Sequence, residues 1–335
     1  MPKVFEIGPE IPLVGHIAFG LVDRGTNLIQ VRPTTLCPLS CIFCSVDAGP
    51  KSRHRATEYV VDLEHLVESF KALVEYKGIE DAQAHIDAVG DPLTYSRIVD
   101  LVQELGEIEQ VKVVSMETHG ALLNERILEE LDSAGLSRLN LSIDSTDPDV
   151  ARYLAGAEWL DVRRILELAE YAAQNLRMDL LIAPVWIPGV NDVEVEKLIE
   201  FAIRIGAGKK WPPLGIQKYE VHKYGRKVRG VKPMTWYEFY QRLRELERRY
   251  GVRLVLNPMD FGIHKAKRLP LVFRRYERAT VEVAGPGWLK GEWIGIARGR
   301  CVAIVGVGSE DPPIGSRVKV RVLRNKHNIY VAELD

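Results

Sequence analysis

Apolar and polar positions follow two alternating periods along most of the chain. Short apolar runs, typical of buried strands, are each followed by a longer segment with apolar residues at helical spacing. Strands are predicted over residues 28–31, 86–89, 111–116, 139–143, 180–185 and 214–221, with a last short strand over 253–256. Helices are predicted over 63–76, 95–105, 123–134, 160–173, 193–205 and 236–250. The pattern therefore predicts a succession of six strand–helix units.

Repeated strand–helix units indicate an α/β fold with a parallel sheet. Because crossovers between parallel strands are right-handed, the sheet is expected to curl into a full or partial barrel, and six units correspond to a partial (β/α)6 TIM-like barrel. An open doubly wound sheet is the alternative. In either fold the reactive side chains are expected at the carboxyl ends of the strands.

The pattern changes after about residue 278. Five short strands are predicted over 280–283, 293–297, 301–307, 316–323 and 329–334, separated by turns at 285–287, 298–300 and 311–313. Five strands without a helix predict a small all-β barrel of the oligonucleotide-binding (OB-like) type. The chain is accordingly divided into an N-terminal extension (1–27), an α/β core (28–275) and a C-terminal β-barrel (276–335).

Composition places the chain among ordinary globular proteins. Of its 335 residues 46% are hydrophobic and 27% are charged, which excludes a disordered, collagen-like or coiled-coil protein. No run of uncharged apolar residues reaches the ~18 needed to span a membrane, and the first residues lack the apolar core of a signal peptide. We therefore expect a cytoplasmic protein without a membrane partner.

The net charge of −1 conceals an uneven distribution. Residues 209–335 hold 27 Lys and Arg against 12 Asp and Glu, whereas the preceding 208 residues hold 18 against 34. Most of the excess lies in 209–280, with 19 basic and 6 acidic residues. A basic half on a nearly neutral protein is typical of a polyanionic partner, usually nucleic acid. The alternative is a solvated basic surface that pairs with the acidic half.

Three of the four cysteines crowd into eight positions. Cys37, Cys41 and Cys44 lie in the sequence C-P-L-S-C-I-F-C, directly after the first predicted strand. In a reducing compartment such a group indicates a metal site or catalysis rather than disulfides. Three thiolates are one ligand short of a closed zinc site or of a fully ligated four-iron cluster, so an iron cluster would keep one open iron. A zinc site completed by His54 or Cys301 is the alternative.

The spacing C-x-x-x-C-x-x-C after a first strand resembles the radical S-adenosylmethionine (SAM) superfamily. The resemblance implies that the three cysteines hold a [4Fe–4S] cluster whose unique iron chelates the methionine end of SAM. It further implies reductive cleavage of SAM to a 5′-deoxyadenosyl radical, with an electron donor such as ferredoxin or flavodoxin. Phe43 matches the aromatic residue that packs near the adenine in this family.

Polar residues at the other strand ends match further positions of the family. Gly90-Asp91 stands where the family has a turn that binds the SAM amino group, with Asp91 in place of the usual glutamate. By the same resemblance Thr118, Ser142 and Asp144 contact the ribose and carboxylate of SAM. Asp91 would otherwise act as a helix N-cap, and the others as turn or cap residues.

Substrate contacts are expected from His119 and from Tyr219, His222 and Tyr224, which follow the sixth strand. His119 could equally be a satisfied buried histidine. The basic residues near the cysteines could meet a substrate phosphate, namely Lys51, Arg53, His54 and Arg55.

Residues 291–306 and 314–322 resemble a TRAM domain, a small barrel found on several RNA-modifying enzymes. The resemblance implies a phosphate-binding face and aromatic surfaces on which bases stack. The basic face would contain Arg298, Arg300, Lys319, Arg321, Arg324 and Lys326, and the stacking residues would be Trp288, Trp293 and Tyr330. A barrel that only packs on the core, with its aromatic side chains inside, is the alternative.

The sequence thus predicts a single-cluster radical SAM enzyme that modifies a nucleoside in RNA, with tRNA as the expected substrate. Only Cys301 remains outside the triplet, which excludes chemistries that need a second cysteine-bound cluster or two further cysteines. The alternatives are a radical SAM enzyme that modifies or activates a protein, and a nucleic-acid-binding protein with a structural metal site.

Overall fold

A computed structural model describes residues 2–308 and 313–335, so part of the predicted turn at 311–313 lies outside the described residues. The strands are β1 (Lys3–Ile7), β2 (Gly20–Asp23), β3 (Leu28–Arg32), β4 (Thr57–Val61), β5 (Ala82–Ile86), β6 (Val111–Thr118), β7 (Arg138–Leu141), β8 (Asp179–Ile182), β9 (Val185–Trp186), β10 (Gln217–Lys218), β11 (Arg278–Pro286), β12 (Glu292–Ala297), β13 (Arg300–Val305), β14 (Arg317–Arg324) and β15 (Val331–Leu334). The helices are α1 (Leu63–Lys77), α2 (Ile98–Gly106), α3 (Glu125–Ser133), α4 (Pro148–Ala155), α5 (Val162–Asn175), α6 (Asp192–Ile205) and α7 (Trp236–Tyr250).

The core is a curved sheet with the order β2-β3-β5-β6-β7-β8. Strands β3 to β8 in this order pair in parallel, and β2 is antiparallel to β3 at the edge. The parallel pair β9–β10 extends the sheet beyond β8, where a bridge joins Ile182 to Leu214. The predicted partial TIM-like barrel is therefore confirmed, and the carboxyl ends of its strands meet at one edge.

Several predicted elements differ from the observed ones in position or length. The predicted strand over 86–89 lies at Ala82–Ile86, and the strand over 214–221 is reduced to Gln217–Lys218. Residues 253–256 form no strand, because the amides of Leu254 and Val255 donate to the carboxylate of Glu247 instead of to a neighbouring strand. Helix α4 was not predicted from the apolar pattern, although its Asp-Pro start is a typical helix N-terminus.

The N-terminal segment 1–27 contributes strands to the core. Its strand β1 pairs in parallel with β4, and β2 forms the antiparallel edge of the main sheet. His16 is buried with its ring stacked on Phe19 and edge-to-face with Tyr59 of β4, and burial lowers the pKa of His16 to about 3. A neutral imidazole therefore fills this part of the core.

The C-terminal region is a closed five-stranded barrel with the order β11-β12-β13-β15-β14. Its core consists of aliphatic side chains around Phe273 and Tyr330. The predicted use of Tyr330 and Trp288 as stacking surfaces is wrong, because both side chains are buried. The structure confirms a small all-β barrel; its assignment as a TRAM domain stays a prediction.

Direct backbone bonds attach the barrel to the core. The amides of Cys301 and Tyr330 donate to the carbonyls of Val14 and Gly15, each at 2.9 Å. A Cβ at Gly15, where φ is +134°, would lie 2.0 Å from the carbonyl oxygen of Cys301. Only glycine permits so close an approach, so the barrel is fixed against the N-terminal segment. No helix among residues 2–308 and 313–335 is both long and apolar enough to cross a membrane.

A buried ion pair fixes the segment that contains Lys267 and Leu269 and leads from the core to the barrel. Lys77 Nζ donates to Asp23 Oδ1 (2.7 Å) and to the carbonyl of Lys267 (2.6 Å), while Asp23 Oδ2 accepts the amide of Leu269 (3.1 Å). Both charged side chains are buried. Removal of one charge would leave the other buried and unpaired.

We expect Lys77→Ala to lower the free energy of unfolding by about 3–5 kcal/mol. Urea unfolding followed by tryptophan fluorescence measures the change, and Lys71→Ala, an exposed lysine of the same helix, is the matched control. Equal unfolding midpoints for the two variants would contradict the role of the pair.

Candidate active site

A cavity of about 340 Å³ lies at the carboxyl ends of the strands. It brings together ten of the predicted residues, namely Cys37, Cys41, Phe43, Cys44, Gly90, Thr118, His119, Ser142, Tyr219 and His222. Its other lining residues include Asp87, Glu117, Val185, Gln217, Lys218, Glu220 and Arg226. Residues far apart in the sequence therefore share one chamber beside the three thiols.

The end of α4 supports the cysteine loop. The Ser40 amide donates to the carbonyl of Ala155 at 2.9 Å, and the Ile42 amide donates to that of Leu154 at 2.9 Å. These carbonyls belong to the last turn of the helix, which is left without intrahelical partners. A Cβ at Gly156, just after α4, would lie 2.3 Å from the carbonyl oxygen of Ser40. Helix α4 thus gives an irregular loop a rigid support.

Arg226 binds the same loop from the opposite side. Its Nε donates to the carbonyl of Cys41 (2.7 Å), its Nη1 to Asp47 Oδ1 (3.0 Å), and its Nη2 to the carbonyl of Ala48. The Arg226 amide also donates to the carbonyl of Cys44 (2.8 Å). One residue therefore fixes the backbone at two of the three cysteines.

The three thiols fit a shared iron–sulfur cluster. Burial raises the pKa of Cys37 to about 12 and raises that of Cys41 well above its usual value, so these thiols stay neutral unless a bound cation stabilises the thiolates. Cys301 is buried beside Val14 in the barrel and does not reach the cavity. In the described ranges no three His, Cys, Asp or Glu side chains converge on a single metal ion. The alternative zinc site would take its fourth ligand from His54 or Cys301, and neither lines the cavity that holds the thiols.

Asp91 connects two strand ends and lies behind the cavity wall. Its carboxylate accepts from Thr118 Oγ1 (2.8 Å) and from the His119 amide (3.0 Å), and it caps the turn that follows by accepting from the Leu93 amide (3.0 Å). Asp91 is only 1% exposed. The carboxylate does not line the cavity, and its three protein donors show that Asp91 positions Thr118 and His119. Its expected contact with SAM stays a prediction.

Gly90 lets the chain pass close to the start of the cysteine loop. A Cβ at this position would lie 2.0 Å from the carbonyl oxygen of Leu36 and 2.3 Å from that of Thr35. The Asp91 amide donates to the same Leu36 carbonyl at 2.7 Å. The second strand end and the cysteine loop are thus in direct backbone contact.

Carboxylates occupy the ends of the third and fourth parallel strands. Glu117 accepts from Gln217 Nε2 (3.2 Å) and from Ser142 Oγ (3.4 Å) and faces the cavity. Asp144 lies deeper, lining an adjoining small cavity, where Oδ1 accepts the amide of Val185 (2.8 Å). Burial raises the pKa of Asp144 to about 6. The ends of these two strands therefore present one carboxylate to the main cavity and one to the adjoining cavity.

Of the four residues predicted near the strand ends to contact substrate, the structure places three in the cavity and one outside it. His119, Tyr219 and His222 line the cavity, and the Tyr219 hydroxyl accepts the amide of Val228 (2.9 Å). Tyr224 lies outside the cavity, with its ring 5.7 Å from that of His54. Its side chain is exposed on the surface of the protein.

Arg298 and Arg300 lie on the barrel, away from the cavity. Arg298 pairs with Glu277 (2.7 Å), and its guanidinium stands 4.7 Å from the centre of the Phe273 ring. Arg300 Nη1 donates to the carbonyl of Gly299. Neither residue lines the chamber that holds the thiols, so any contact with substrate would be outside it.

Arg55 is not available to a substrate phosphate. Its Nη1 pairs with Glu58 (2.9 Å) and donates to the Thr35 carbonyl (2.7 Å), and its Nη2 donates to the carbonyl of Val89. The indole ring of Trp288 covers the guanidinium, with 5.0 Å between the ring centre and Cζ. The prediction that Arg55 meets a substrate phosphate is wrong, since the Arg55 side chain joins the barrel to the ends of two core segments.

Sequence reasoning did not identify Glu117, Lys218 or Arg226 as site residues. Glu117 precedes Thr118 at the strand end, and Lys218 and Arg226 flank the predicted residues of the 219–224 segment. Charged residues at a strand end were the available signal for Glu117 and Lys218. No spacing rule relates Arg226 to the cysteines, because its contacts depend on the path of the chain after β10.

We expect Arg226→Ala to retain about 10-fold less cluster than the unchanged protein. Residues that hold metal ligands in place typically change the affinity for the metal by about 10-fold or more. Iron and sulfide per chain after anaerobic reconstitution and desalting measure the loss. Lys227→Ala is the control, since Lys227 is its exposed neighbour. Full iron retention by Arg226→Ala would contradict the supporting role.

Comparison with known proteins agrees with this geometry. Residues 31–202 match the radical SAM superfamily. The chain is 43% identical to an uncharacterized protein of Methanocaldococcus jannaschii over 350 aligned positions, which cover 99% of this chain and 81% of that protein. It is 32% identical to a GTP 3′,8-cyclase of Peptoclostridium acidaminophilum, over 54% of this chain and 53% of the cyclase. This second match therefore spans about half of each protein.

The fold is similar to that of SuiB of Streptococcus suis, solved with bound S-adenosylmethionine. The TM-score is 0.50 at 20% identity, covering 70% of this chain and 48% of SuiB. This likeness concerns the fold, and the match over residues 31–202 establishes the relationship. The enzyme therefore uses a [4Fe–4S] cluster and SAM, and it needs an electron donor. The chain belongs to the radical SAM superfamily.

Proposed function

We propose that this radical SAM enzyme modifies a nucleoside within an RNA chain, with tRNA as the expected substrate. The observation that carries the proposal is that the basic segment of the sequence contributes residues to the wall of the cavity. Lys218 and Arg226 line the chamber, and both belong to the segment 209–280, which holds 19 basic and 6 acidic residues. A polyanion would be attracted to the entrance of the chamber.

The residues of the chamber have distinct expected roles. Cys37, Cys41 and Cys44 would hold the cluster, and Phe43 would pack near the adenine of SAM. When bound, the cluster supplies the electron that splits SAM into methionine and a 5′-deoxyadenosyl radical. Gly90 would leave room for the SAM amino group.

Thr118, Ser142 and Glu117 offer polar groups to the rest of SAM or to the substrate. Thr118 is held in place by its hydrogen bond to Asp91. Asp144 orients the start of β9 through the amide of Val185, so its expected effect on SAM is indirect. His119, Tyr219 and His222 would face the substrate, and the buried Tyr219 would help to exclude water from the radical.

The C-terminal barrel offers a second basic surface. Alternate residues of β14, namely Arg317, Lys319 and Arg321, are exposed on its outer face. Arg321 pairs with Glu333 at 2.5 Å, whereas Lys319 has no ion pair with the residues that the structure describes. Arg324, at the end of the strand, is exposed as well. These side chains fit phosphate contacts outside the cavity.

A free purine nucleotide is the second candidate substrate. The similarity to GTP 3′,8-cyclases, which extends over 54% of this chain, favours it. In that case the product would form without RNA. The two candidates are therefore separable by supplying either RNA or GTP.

We expect Cys41→Ala to abolish SAM cleavage, because the cluster loses one of three protein ligands. Reconstituted protein is incubated anaerobically with SAM, dithionite and unmodified tRNA, and 5′-deoxyadenosine and RNA nucleosides are measured by mass spectrometry. The control Cys301→Ala should retain cleavage, since this thiol is remote from the chamber. A circular dichroism spectrum equal to that of the unchanged protein shows that each variant is folded.

A parallel reaction with GTP in place of tRNA distinguishes the substrates. A new nucleoside in tRNA that was incubated with the unchanged protein supports the proposal. A modified GTP formed without RNA would favour the second candidate, and 5′-deoxyadenosine formation by Cys41→Ala would contradict the assigned cysteine role.

We expect the double variant Lys319→Glu/Arg324→Glu to weaken tRNA binding and to reduce the slope of log K against log salt by about 1 for each lost phosphate contact. Fluorescence titration at several salt concentrations measures both quantities. The control Lys71→Glu/Lys112→Glu makes the same charge change on exposed residues of the α/β core. Identical slopes for the two variants would show that the barrel face does not bind RNA.

A further inference from the structure

Two exposed aromatic side chains stand at the beginning of α7. Trp236 is 53% exposed and Tyr237 is 73% exposed. The Trp236 ring stacks on that of Tyr240, with centroids 5.8 Å apart and planes inclined by 26°. One face of the indole is therefore supported by the protein, and more than half of the side chain is open to solvent.

Lys218 connects these rings to the active-site chamber. Its side chain lines the cavity and is almost buried, and its Nζ stands 4.7 Å from the centre of the Trp236 ring. Glu220 pairs with the same ammonium at 3.1 Å. Trp236 therefore lies at the rim of the chamber, one side chain away from its interior.

The segment around the rings is strongly basic. Residues 221–244 contain seven Lys and Arg and a single acidic residue, Glu238. The Glu238 carboxylate is used within the protein, where it accepts from the Thr235 amide (2.7 Å) and hydroxyl (2.9 Å) at the start of the helix. The exposed cations of this segment are Lys223, Lys227, Arg229, Lys232, Arg242 and Arg244. The rim thus combines flat aromatic faces with exposed cations, and among the described residues Lys223, Lys227, Arg229 and Lys232 form no ion pair.

We infer that this aromatic–basic rim (Lys218, Lys232, Trp236 and Tyr237) binds single-stranded RNA beside the nucleoside that enters the chamber. Bases would stack on Trp236 and Tyr237, and the neighbouring cations would contact the phosphates. Stacking accepts any base, while the charge selects a polyanion, and this combination is typical of single-strand binding. A duplex would bind less well here, because its bases already stack on each other. This inference rests on the proposed function and adds the place where the strand lies.

Anaerobically reconstituted protein is titrated with a fluorescein-labelled oligoadenylate dodecamer at low salt, and an RNA duplex of the same length serves for comparison. We expect Trp236→Ala and Tyr237→Ala each to weaken binding of the single strand by about 5-fold or more, the range found for a lost base stack. Trp236→Phe should bind within about 2-fold of the unchanged protein, because it keeps an aromatic face. Duplex binding should change little.

The matched control is Tyr76→Ala. Tyr76 is an exposed tyrosine with the ammonium of Lys267 at 3.9 Å from its ring centre, so it reproduces the arrangement of Trp236 and Lys218. It lies in the last turn of α1, which leads to the amino end of β5, at the edge of the sheet opposite the cavity. Its removal should leave the affinity for the single strand unchanged.

The outcomes separate this inference from the proposed function. Unchanged single-strand affinity in Trp236→Ala and Tyr237→Ala, together with weaker binding by Lys319→Glu/Arg324→Glu, would overturn the inference and leave an RNA substrate in place. Absence of RNA binding by the unchanged protein would overturn both. Displacement of the oligonucleotide by poly-glutamate at equal charge concentration would assign the rim to unspecific attraction and would also overturn the inference.

Discussion

Three thiols must be held together on a loop that has no regular secondary structure, and the surrounding fold depends on this constraint. Burial keeps the protons on Cys37 and Cys41, so only a bound cationic cluster makes the thiolates stable there. The backbone of the loop is therefore fixed by outside partners. The last turn of α4 accepts two of its amides, and Arg226 donates to its carbonyls. The end of α4 and the guanidinium of Arg226 thus supply the backbone hydrogen bonds that a neighbouring strand would otherwise supply.

The sequence was sufficient for features that depend on local spacing. The cysteine triplet, the polar strand ends and the alternation of strands and helices each lie within a few consecutive residues, and the structure brings most of the predicted residues into one chamber. The sixth strand was less predictable. An apolar run over 214–221 suggested a full strand, but only Gln217–Lys218 pairs with a neighbour.

Features that depend on contacts across the chain were not predictable from spacing. Asp91 matches a position that binds SAM in the family. In the structure its carboxylate accepts hydrogen bonds from Thr118 and the His119 amide at the end of the next strand. The aromatic residues of the barrel were expected on its surface, and two of them are buried in its core or against Arg55. Burial of an aromatic residue in a short strand depends on which face packs inward, and the alternation of a few residues does not decide this.

The contact of Trp288 with Arg55 gives the small barrel a structural role beside the active site. Arg55 donates to the carbonyls of Thr35 and Val89, which precede the cysteine loop and Gly90, so the barrel touches the supports of the chamber. The barrel consequently shares buried contacts with the segments that support the cysteine loop and Gly90. For an RNA chain bound both on the outer face of β14 and in the chamber, as proposed above, the separation of the two surfaces would favour a reacting position set by its distance along the chain rather than by its immediate neighbours.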